Sequence, residues 1–423
     1  MVHTMDVLKK HEAVARVTNG QPTADAVPTT PLPSTPMQTF WHKWGEALKQ
    51  VLPIYIAVHV AFFVISCVSV LFTMPDFQWK GLPLHTLWQS WRHWDSGHFV
   101  VVAQNGYVKL YDTAFFPLFP MLERGLSLLT HRDPFIAGLI ISDVATLVLF
   151  TVLYQLVRED FDVERANHTV LYLSIFPTAF FFAAAYNEAL FLCFVLISFY
   201  NMRHGRWWLA GIFGFCSGLT RSFGLLLVLP FCYEYLQQHQ LNLRKIRFDV
   251  VSVILIPAAI MIFGLYCYLR FHDFLAFSHA EFEWHRQLHG PWHGILGSIK
   301  AILISSGFLS FQTLRNLLDL GPDLLVGMLI ILSFVGPWRL PRKLWSYGIY
   351  AGVLYVFLQL FPVGGTGIFP LESMSRYLLE IFPAFIMLAG FAKYRMFHLN
   401  YMLVSSALLF FLLTQFLTGH WVL

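Results

Sequence analysis

VLPIYIAVHVAFFVISCVSVLFT, residues 51–73, is the stretch that decides the fold. It contains one histidine, His59, and no Lys, Arg, Asp or Glu. An α-helix rises about 1.5 Å per residue, so a run of this length crosses the roughly 30 Å hydrocarbon core of a bilayer. Similar runs recur near 134–157, 169–185, 187–203, 208–221, 223–236, 249–270, 315–335, 345–361, 377–391 and 398–418. They predict an all-α, polytopic membrane protein with about eleven transmembrane helices. The short alternating segments of a closed β-barrel are absent. Composition agrees: 57% of residues are hydrophobic and 12% charged, against about 25% charged in soluble domains. The formal charge is only +4, with no basic block, so a nucleic-acid partner is not expected and membrane lipids are. The five cysteines all fall in apolar runs without CxxC spacing and read as packing residues.

Residues 1–45 are polar and rich in Pro and Thr, and read as a disordered cytosolic tail without a cleavable leader; residues 46–423 then form the transmembrane domain. The basic residues set the orientation. With the N-terminus inside, the short inner segments 158–168, 204–207, 237–248, 336–344 and 392–397 are rich in Arg and Lys. The long segments 74–133, 271–314 and 362–376 then face outward. In the first of these, Leu84, Leu87, Trp91 and Trp94 recur at helical spacing, which predicts an interfacial helix in the headgroup plane. The run Ala114–Pro120 is apolar and has two prolines, and is expected to be re-entrant or packed on the bundle.

The polar residues at membrane depth converge on the outer side. Asp95 follows the first span within His93-Trp94-Asp95-Ser96-Gly97-His98-Phe99. Tyr186-Asn187-Glu188 forms the tip of one short hairpin and Arg221-Ser222 the tip of the next. Arg376 and Tyr377 open the tenth span, and the loop 271–300 holds Glu281, His285 and Arg286. Charged groups at membrane depth are costly unless they pair or line a polar cavity, so their convergence suggests one cavity. Plainer readings stand beside this one. Asp95 is also a good helix cap, and Asn187 and Glu188 suit a turn. Arg221 and Arg376 also suit structural partners of Glu188 or lipid headgroups. Glu281, His285, His289 and His293 are spaced by four and would share a helical face, but Gly290-Pro291 interrupts it. Neither this set nor His93, Asp95 and His98 is expected to bind metal, and no cofactor is expected. Phe180-Phe181-Phe182 is expected to pack against lipid.

Arginine binds phosphate through bidentate, charge-assisted bonds. Gly364-Gly365-Thr366-Gly367 lacks the lysine of a nucleotide-binding P-loop and reads as a turn, and no nucleotide-binding domain is visible. An enzyme built this way needs an activated donor that resides in the membrane.

The segments Trp94–Phe99, Asn105-Gly106-Tyr107, Ala114–Pro120, Phe176–Phe181, Tyr186-Asn187-Glu188, Thr220-Arg221-Ser222 and Arg376-Tyr377 together resemble PIG-V-type mannosyltransferases. The resemblance runs in order over roughly residues 90–390 and looks prokaryotic. It implies a GT-C-like bundle and transfer of mannose from polyprenyl- or dolichyl-phosphate-mannose to a hydroxyl of a lipid or glycan acceptor. In eukaryotes this family adds the second mannose of the GPI anchor. It implies an integral membrane location, the plasma membrane in a prokaryote or the ER membrane in a eukaryote. It also implies that the essential acid of the first outer loop is Asp95. Two positions depart from the pattern. Phe223 stands where Asn is expected, and His272-Asp273-Phe274 where Gly-Asp-Pro is expected. The expected mechanism is inverting. Asp95 takes the acceptor's proton, while Arg221 or Arg376, with His285 or Arg286, stabilises the departing lipid phosphate. Glu188 orients the sugar or an arginine; Asn187, Tyr377, Trp94 and His98 complete the binding set. A transporter or flippase of a lipid-linked sugar is the rival reading.

Overall fold

The computed structural model describes residues 36–73, 83–363 and 367–420. Residues 1–35 of the expected tail and 364–366 of the expected glycine-rich turn lie outside the described residues. Trp44–Leu423 forms one compact unit; of the other, Met1–Lys43, the described residues belong to the first helix.

The described residues are helical with one isolated bridge, between Arg286 and Val363. The α-helices are α1 (Pro36–Thr73), α2 (Leu84–Gln89), α3 (Asp95–Asn105), α4 (Leu118–Ser127), α5 (Pro134–Asp160) and α6 (Val163–Ser174). They continue as α7 (Glu188–Arg203), α8 (Trp207–Thr220), α9 (Val228–Gln238), α10 (Leu255–Phe271), α11 (Ala276–His279) and α12 (His293–Leu303). The last five are α13 (Phe311–Phe334), α14 (Trp345–Leu360), α15 (Met374–Tyr377), α16 (Phe382–Ala389) and α17 (Arg395–Leu417). Among the described residues, five helical stretches are long and apolar enough to cross a bilayer: Trp41–Phe72, Pro134–Asp160, Phe248–Phe271, Phe311–Phe334 and Arg395–Leu417. The chain is an integral membrane protein. Helix starts follow local chemistry: Asp133 accepts from the Phe135 N–H ahead of α5, Asp162 from Arg165 ahead of α6, and Ser310 from Thr313 ahead of α13.

Three expected elements are broken. The run 169–185 stops being an α-helix at Ser174, ahead of Pro177, and continues as a turn with a 3-10 segment at Ala179–Phe182. The run 377–391 divides at Ile381, and Pro383 then occupies the opening turn of α16. The interfacial helix covers only Leu84–Gln89. Trp94 has φ 46° and ψ −114°, outside helical geometry, so the 3–4 spacing does not continue through Trp91 and Trp94. Phe115, Phe116 and Phe119 are buried, so the Ala114–Pro120 run packs on the bundle. Phe180, Phe181 and Phe182 are at most 4% exposed, so they belong to the core rather than the lipid surface.

The two ends of α7 carry different chemistry. At its C-terminal end, Arg203 binds Asp160 of α5 at 2.6 Å and Glu234 of α9 at 2.7 Å. Tyr347 donates to the same aspartate and Ser346 to the same glutamate, which ties in α14. Four helices are thereby clamped by one buried, well-partnered network. At the other end of α7, about 22 Å away by helix rise, lies Glu188. Beside this pair of clusters, α8 approaches the segment leading into α10 closely: a Cβ at Gly211 would meet the Ser252 carbonyl at 2.4 Å, and one at Gly218 the Ala259 Cβ at 2.8 Å.

Glu123, on α4, is fully buried, and among the described residues neither carboxylate oxygen has a hydrogen-bond partner. Gly138 makes room for it: a Cβ there would lie 2.4 Å from Oε1. Burial, with a contribution from Asp133, raises its pKa from 4.5 to about 9. The folded chain therefore keeps a proton that the unfolded chain releases. That contribution to stability is complete below about pH 4.5 and is lost as pH rises toward about 9. Glu123→Gln, which cannot ionise, should gain melting temperature over the parent progressively from pH 5 to pH 9 (by roughly 2–8 °C at the alkaline end). Parallel melting curves across that range would contradict the assignment.

Candidate active site

Glu188 opens α7, and its side chain is fully buried. Its Oε1 receives two arginines. Arg221, in the extended turn after α8, places Nη1 2.9 Å away. Arg376, on the short α15, binds it through both Nε and Nη2. Arg376 Nη2 also reaches Asp95 Oδ2 at 2.7 Å, and Arg221 Nη1 reaches Glu380 Oε1 at 2.5 Å. Five groups from four segments thus form one chain of charges, Asp95–Arg376–Glu188–Arg221–Glu380. Carboxylates and guanidiniums alternate, which is how charge persists in a dry interior.

Aromatic faces cover the arginines. The Arg376 guanidinium lies 4.8 Å from the Phe181 ring centre and 4.6 Å from that of Tyr186. Arg221 lies 5.3 Å from Phe223 and 5.1 Å from Tyr377, and Arg286 reaches the Tyr377 ring at 5.1 Å. Phe223, the departure from the expected Asn, therefore serves as a wall for Arg221. The second departure is equally local. His272 has φ 58°, in the left-handed region that favours the expected glycine, and Asp273 binds the Leu275 N–H and His279. The His279 bond holds the Asp273 carboxyl below its ordinary pKa.

Asp95 is the first residue of α3, whose N-cap position is taken by Trp94. The turn before it is pinned. Trp91 Nε1 donates to Ser66 at 3.1 Å, Tyr186 OH to the His93 carbonyl at 2.9 Å, and Ser96 Oγ to the same carbonyl at 2.9 Å. Trp94 packs against Phe416 and His93 and takes the positive φ that aims α3. The Asp95 side chain is 22% exposed, against none for Glu188 and Glu380, so it is the solvent-facing end of the chain of charges.

The remaining expected residues divide. Asn187 donates to the Thr220 carbonyl at 2.9 Å, joining the two loops that carry Glu188 and Arg221. His98 stacks on Phe115 and stands edge-on to Trp284. Arg286 donates to the Phe361 and Glu372 carbonyls and to Tyr377 OH at 3.4 Å. Among the described residues no carboxylate lies within ion-pair distance of it. His285 is not part of the cluster. It is exposed, its φ is 56°, and no side-chain bond holds it among the described residues. The helical face proposed for Glu281, His285, His289 and His293 does not form, because the backbone turns at His285 and helix resumes only at His293. Among the described residues no group of three or more potential metal ligands is gathered. Glu281 does lie within the field of Asp95, Arg221 and Arg286; burial raises its carboxyl above the ordinary value and the arginines partly offset this.

Sequence reasoning missed Glu380 and Trp284. Glu380 was visible as an acid inside an apolar run, which by itself marks a functional candidate. A mainly apolar cavity of about 400 Å³ lies along α3, lined by Val102 and Ala103 of that helix with Tyr107, Pro120, Leu219 and Phe263.

Fold and site together define an all-helical membrane protein with a charge-compensated polar site at one end of its bundle. The chain belongs to the family described as Mannosyltransferase (PIG-V), whose model matches residues 74–338, more than half of its length. It is similar to the GPI alpha-1,6-mannosyltransferase 2 of Homo sapiens, with 33% identity over 32% of this chain and 30% of that protein. It is also similar to the GPI mannosyltransferase 2 of Yarrowia lipolytica, with 26% identity over 53% of this chain and 60% of that one. The chain thus spans under a third of the human relative and about three fifths of the yeast one. Among solved structures, ArnT from Cupriavidus metallidurans bound to undecaprenyl phosphate has a TM-score of 0.49 at 14% identity, covering 80% of this chain and 59% of that one.

Removing Arg376 leaves the buried Glu188 carboxylate with only part of its compensation, at a cost of up to about 3–5 kcal/mol. Arg376→Met should lower the melting temperature sharply, and Arg376→Met with Glu188→Met should recover most of the loss. A double variant no more stable than the single one would show that Glu188 and Arg376 do not compensate each other.

Proposed function

We propose that this protein transfers mannose from a polyprenyl- or dolichyl-phosphate-linked donor to a hydroxyl of a membrane-associated acceptor, with inversion at the sugar. The observation that carries this reading is the position of Asp95. It is the one carboxylate of the charge chain that reaches solvent, and Arg376 holds its Oδ2 at 2.7 Å. Among the described residues Oδ1 holds no hydrogen bond, which leaves it available to an acceptor hydroxyl. Family membership supports chemistry over transport, as does the gathering of the ionised groups in one cluster.

The step is a single displacement. The acceptor oxygen attacks the anomeric carbon, its proton passes to Asp95 Oδ1, and the bond from that carbon to the phosphate oxygen breaks. The lipid phosphate leaves with the electron pair. Arg221 and Arg376 are already matched by Glu188, Glu380 and Asp95, so their positive charge is largely committed. Arg286 is held by neutral oxygens only, and we assign it the main contact with the departing phosphate, with Tyr377 beside it. His98, one turn beyond Asp95 and boxed by Phe115 and Trp284, lines the sugar side. The apolar cavity beside α3 suits a lipid chain. The reaction side is non-cytosolic and the N-terminus cytosolic, in keeping with the basic inner loops.

Purified chain incubated with radiolabelled polyprenyl-phosphate-mannose and candidate acceptors should release polyprenyl phosphate. Asp95→Asn should lower turnover at least about 1,000-fold while leaving donor binding intact. Arg286→Ala should raise the KM for donor and lower kcat/KM by about 10–100-fold. Near-normal turnover by Asp95→Asn would remove this mechanism, and redistribution of intact donor across vesicles would favour a transporter.

A further inference from the structure

α13 is one of the five helices long enough to cross the membrane, yet one of its faces is polar. Gln312, Arg315, Asn316, Asp319 and Asp323 follow one another at helical spacing, and the last four are at most 7% exposed. Ionisable groups inside a spanning helix are rare and usually functional. What they bind here is the loop that returns to Arg376. Asn316 donates to the Ile368 carbonyl at 2.8 Å, and Arg315 to Glu372 Oε1 at 3.1 Å. Asp319 Oδ1 then accepts both the backbone N–H of Ser375 at 3.0 Å and its hydroxyl at 2.7 Å. From the opposite side, Thr178 donates to the Ser375 carbonyl at 2.9 Å. The neighbouring Ser373 has φ 67°, the kink that turns the chain into α15.

Ser375 is thus gripped at its N–H, hydroxyl and carbonyl, and the next residue is the arginine that bridges Asp95 and Glu188. One further turn along α13, Asp323 binds Gln359 at 2.6 Å and Tyr355 at 3.3 Å, and touches none of the cluster. The two aspartates share a helix, a face and deep burial, and differ in whether their bonds lead to the site.

We propose that Asp319 is a positioning residue for sugar transfer: through Ser375 it fixes the place of Arg376, and through Arg376 the orientation of Asp95. The inference rests on Asp95 being the base. A guanidinium free to shift by an ångström would release the carboxylate from its attacking geometry, and displacements of that size cost up to about 100-fold in rate. The loss falls mainly on the chemical step, because Arg286 keeps the Phe361 carbonyl and its backbone bridge to Val363, which Asp319 does not hold.

The test is steady-state kinetics of the full chain reconstituted in lipid nanodiscs, with melting recorded for each variant. Asp319→Ala should lower kcat by about 10–100-fold with the donor KM within about two-fold. Asp319→Asn, which keeps an acceptor oxygen for Ser375, should restore most of that loss. Asp323→Asn should keep kcat within about two-fold of the parent even where it melts earlier. Adding Asp319→Ala to Arg376→Lys should cost little more than Arg376→Lys alone. If Asp319→Ala does not fold, Thr178→Val carries the comparison and should lower kcat in the same manner. Parental kcat in Asp319→Ala, or in Thr178→Val where it stands in, or losses that track melting equally in Asp319 and Asp323 variants, would overturn the proposal. Should the parent prove inactive in mannose transfer, the reading of the reaction falls. Melting of the Asp319→Ala and Arg376→Lys double-mutant cycle then decides the positioning claim: coupled effects support it and additive effects refute it.

Discussion

One carboxylate oxygen governs this structure. Glu188 Oε1, fully buried at the start of α7, is shared by Arg221 and Arg376, an arrangement that keeps three charges out of water together. The constraint is electrostatic before it is functional. Each ion alone would cost several kcal/mol to desolvate, and each becomes tolerable through its neighbours. The loops before α7, after α8 and at α15 are obliged to meet because their charges have nowhere else to go. Asp95 and Glu380 extend the chain at its two ends, toward solvent and toward the core.

That demand explains the broken helices. A continuous helix through 169–185 would carry Phe180–Phe182 and Tyr186 past the site. The turn after Ser174 instead folds Phe181 and Tyr186 against Arg376. A continuous helix through 377–391 would swing Tyr377 away from Arg221 and Arg286. The clamp around Arg203 at the far end of α7 ties helices together: its carboxylate partners lie on α5 and α9, and Tyr347 and Ser346 of α14 bind the same two acids. The bundle is braced there and carries the chain of charges from Asp95 to Glu380 at the other end.

Much of this was legible in the sequence. Charges in apolar surroundings announce themselves, so Asp95, Glu188, Arg221 and Arg376 could be selected by cost alone. Their convergence was also readable, because each sits at the end of an apolar run on the same side. Glu380 is harder to read, because its run has the length and composition of an unbroken span, and an acid in mid-helix has no obvious partner until the helix breaks at Ile381. Periodicity misled in two places. Leu84, Leu87, Trp91 and Trp94 keep helical spacing across a backbone reversal at Trp94, and Glu281 and His285 keep it up to a left-handed turn at His285. Side-chain spacing records which residues would share a face if a helix existed, and says nothing of a φ that ends it. The role of Asp319 was beyond reach, since it depends on a contact 56 residues away.

The account stands most directly on where the donor lies. A cryo-EM structure of the Asp95→Asn chain with polyprenyl-phosphate-mannose bound should show a phosphate oxygen about 3 Å from the Arg286 guanidinium and the sugar's anomeric carbon on the side facing residue 95. A phosphate seated elsewhere, with the sugar outside the pocket of Asp95, His98 and Tyr377, would contradict it.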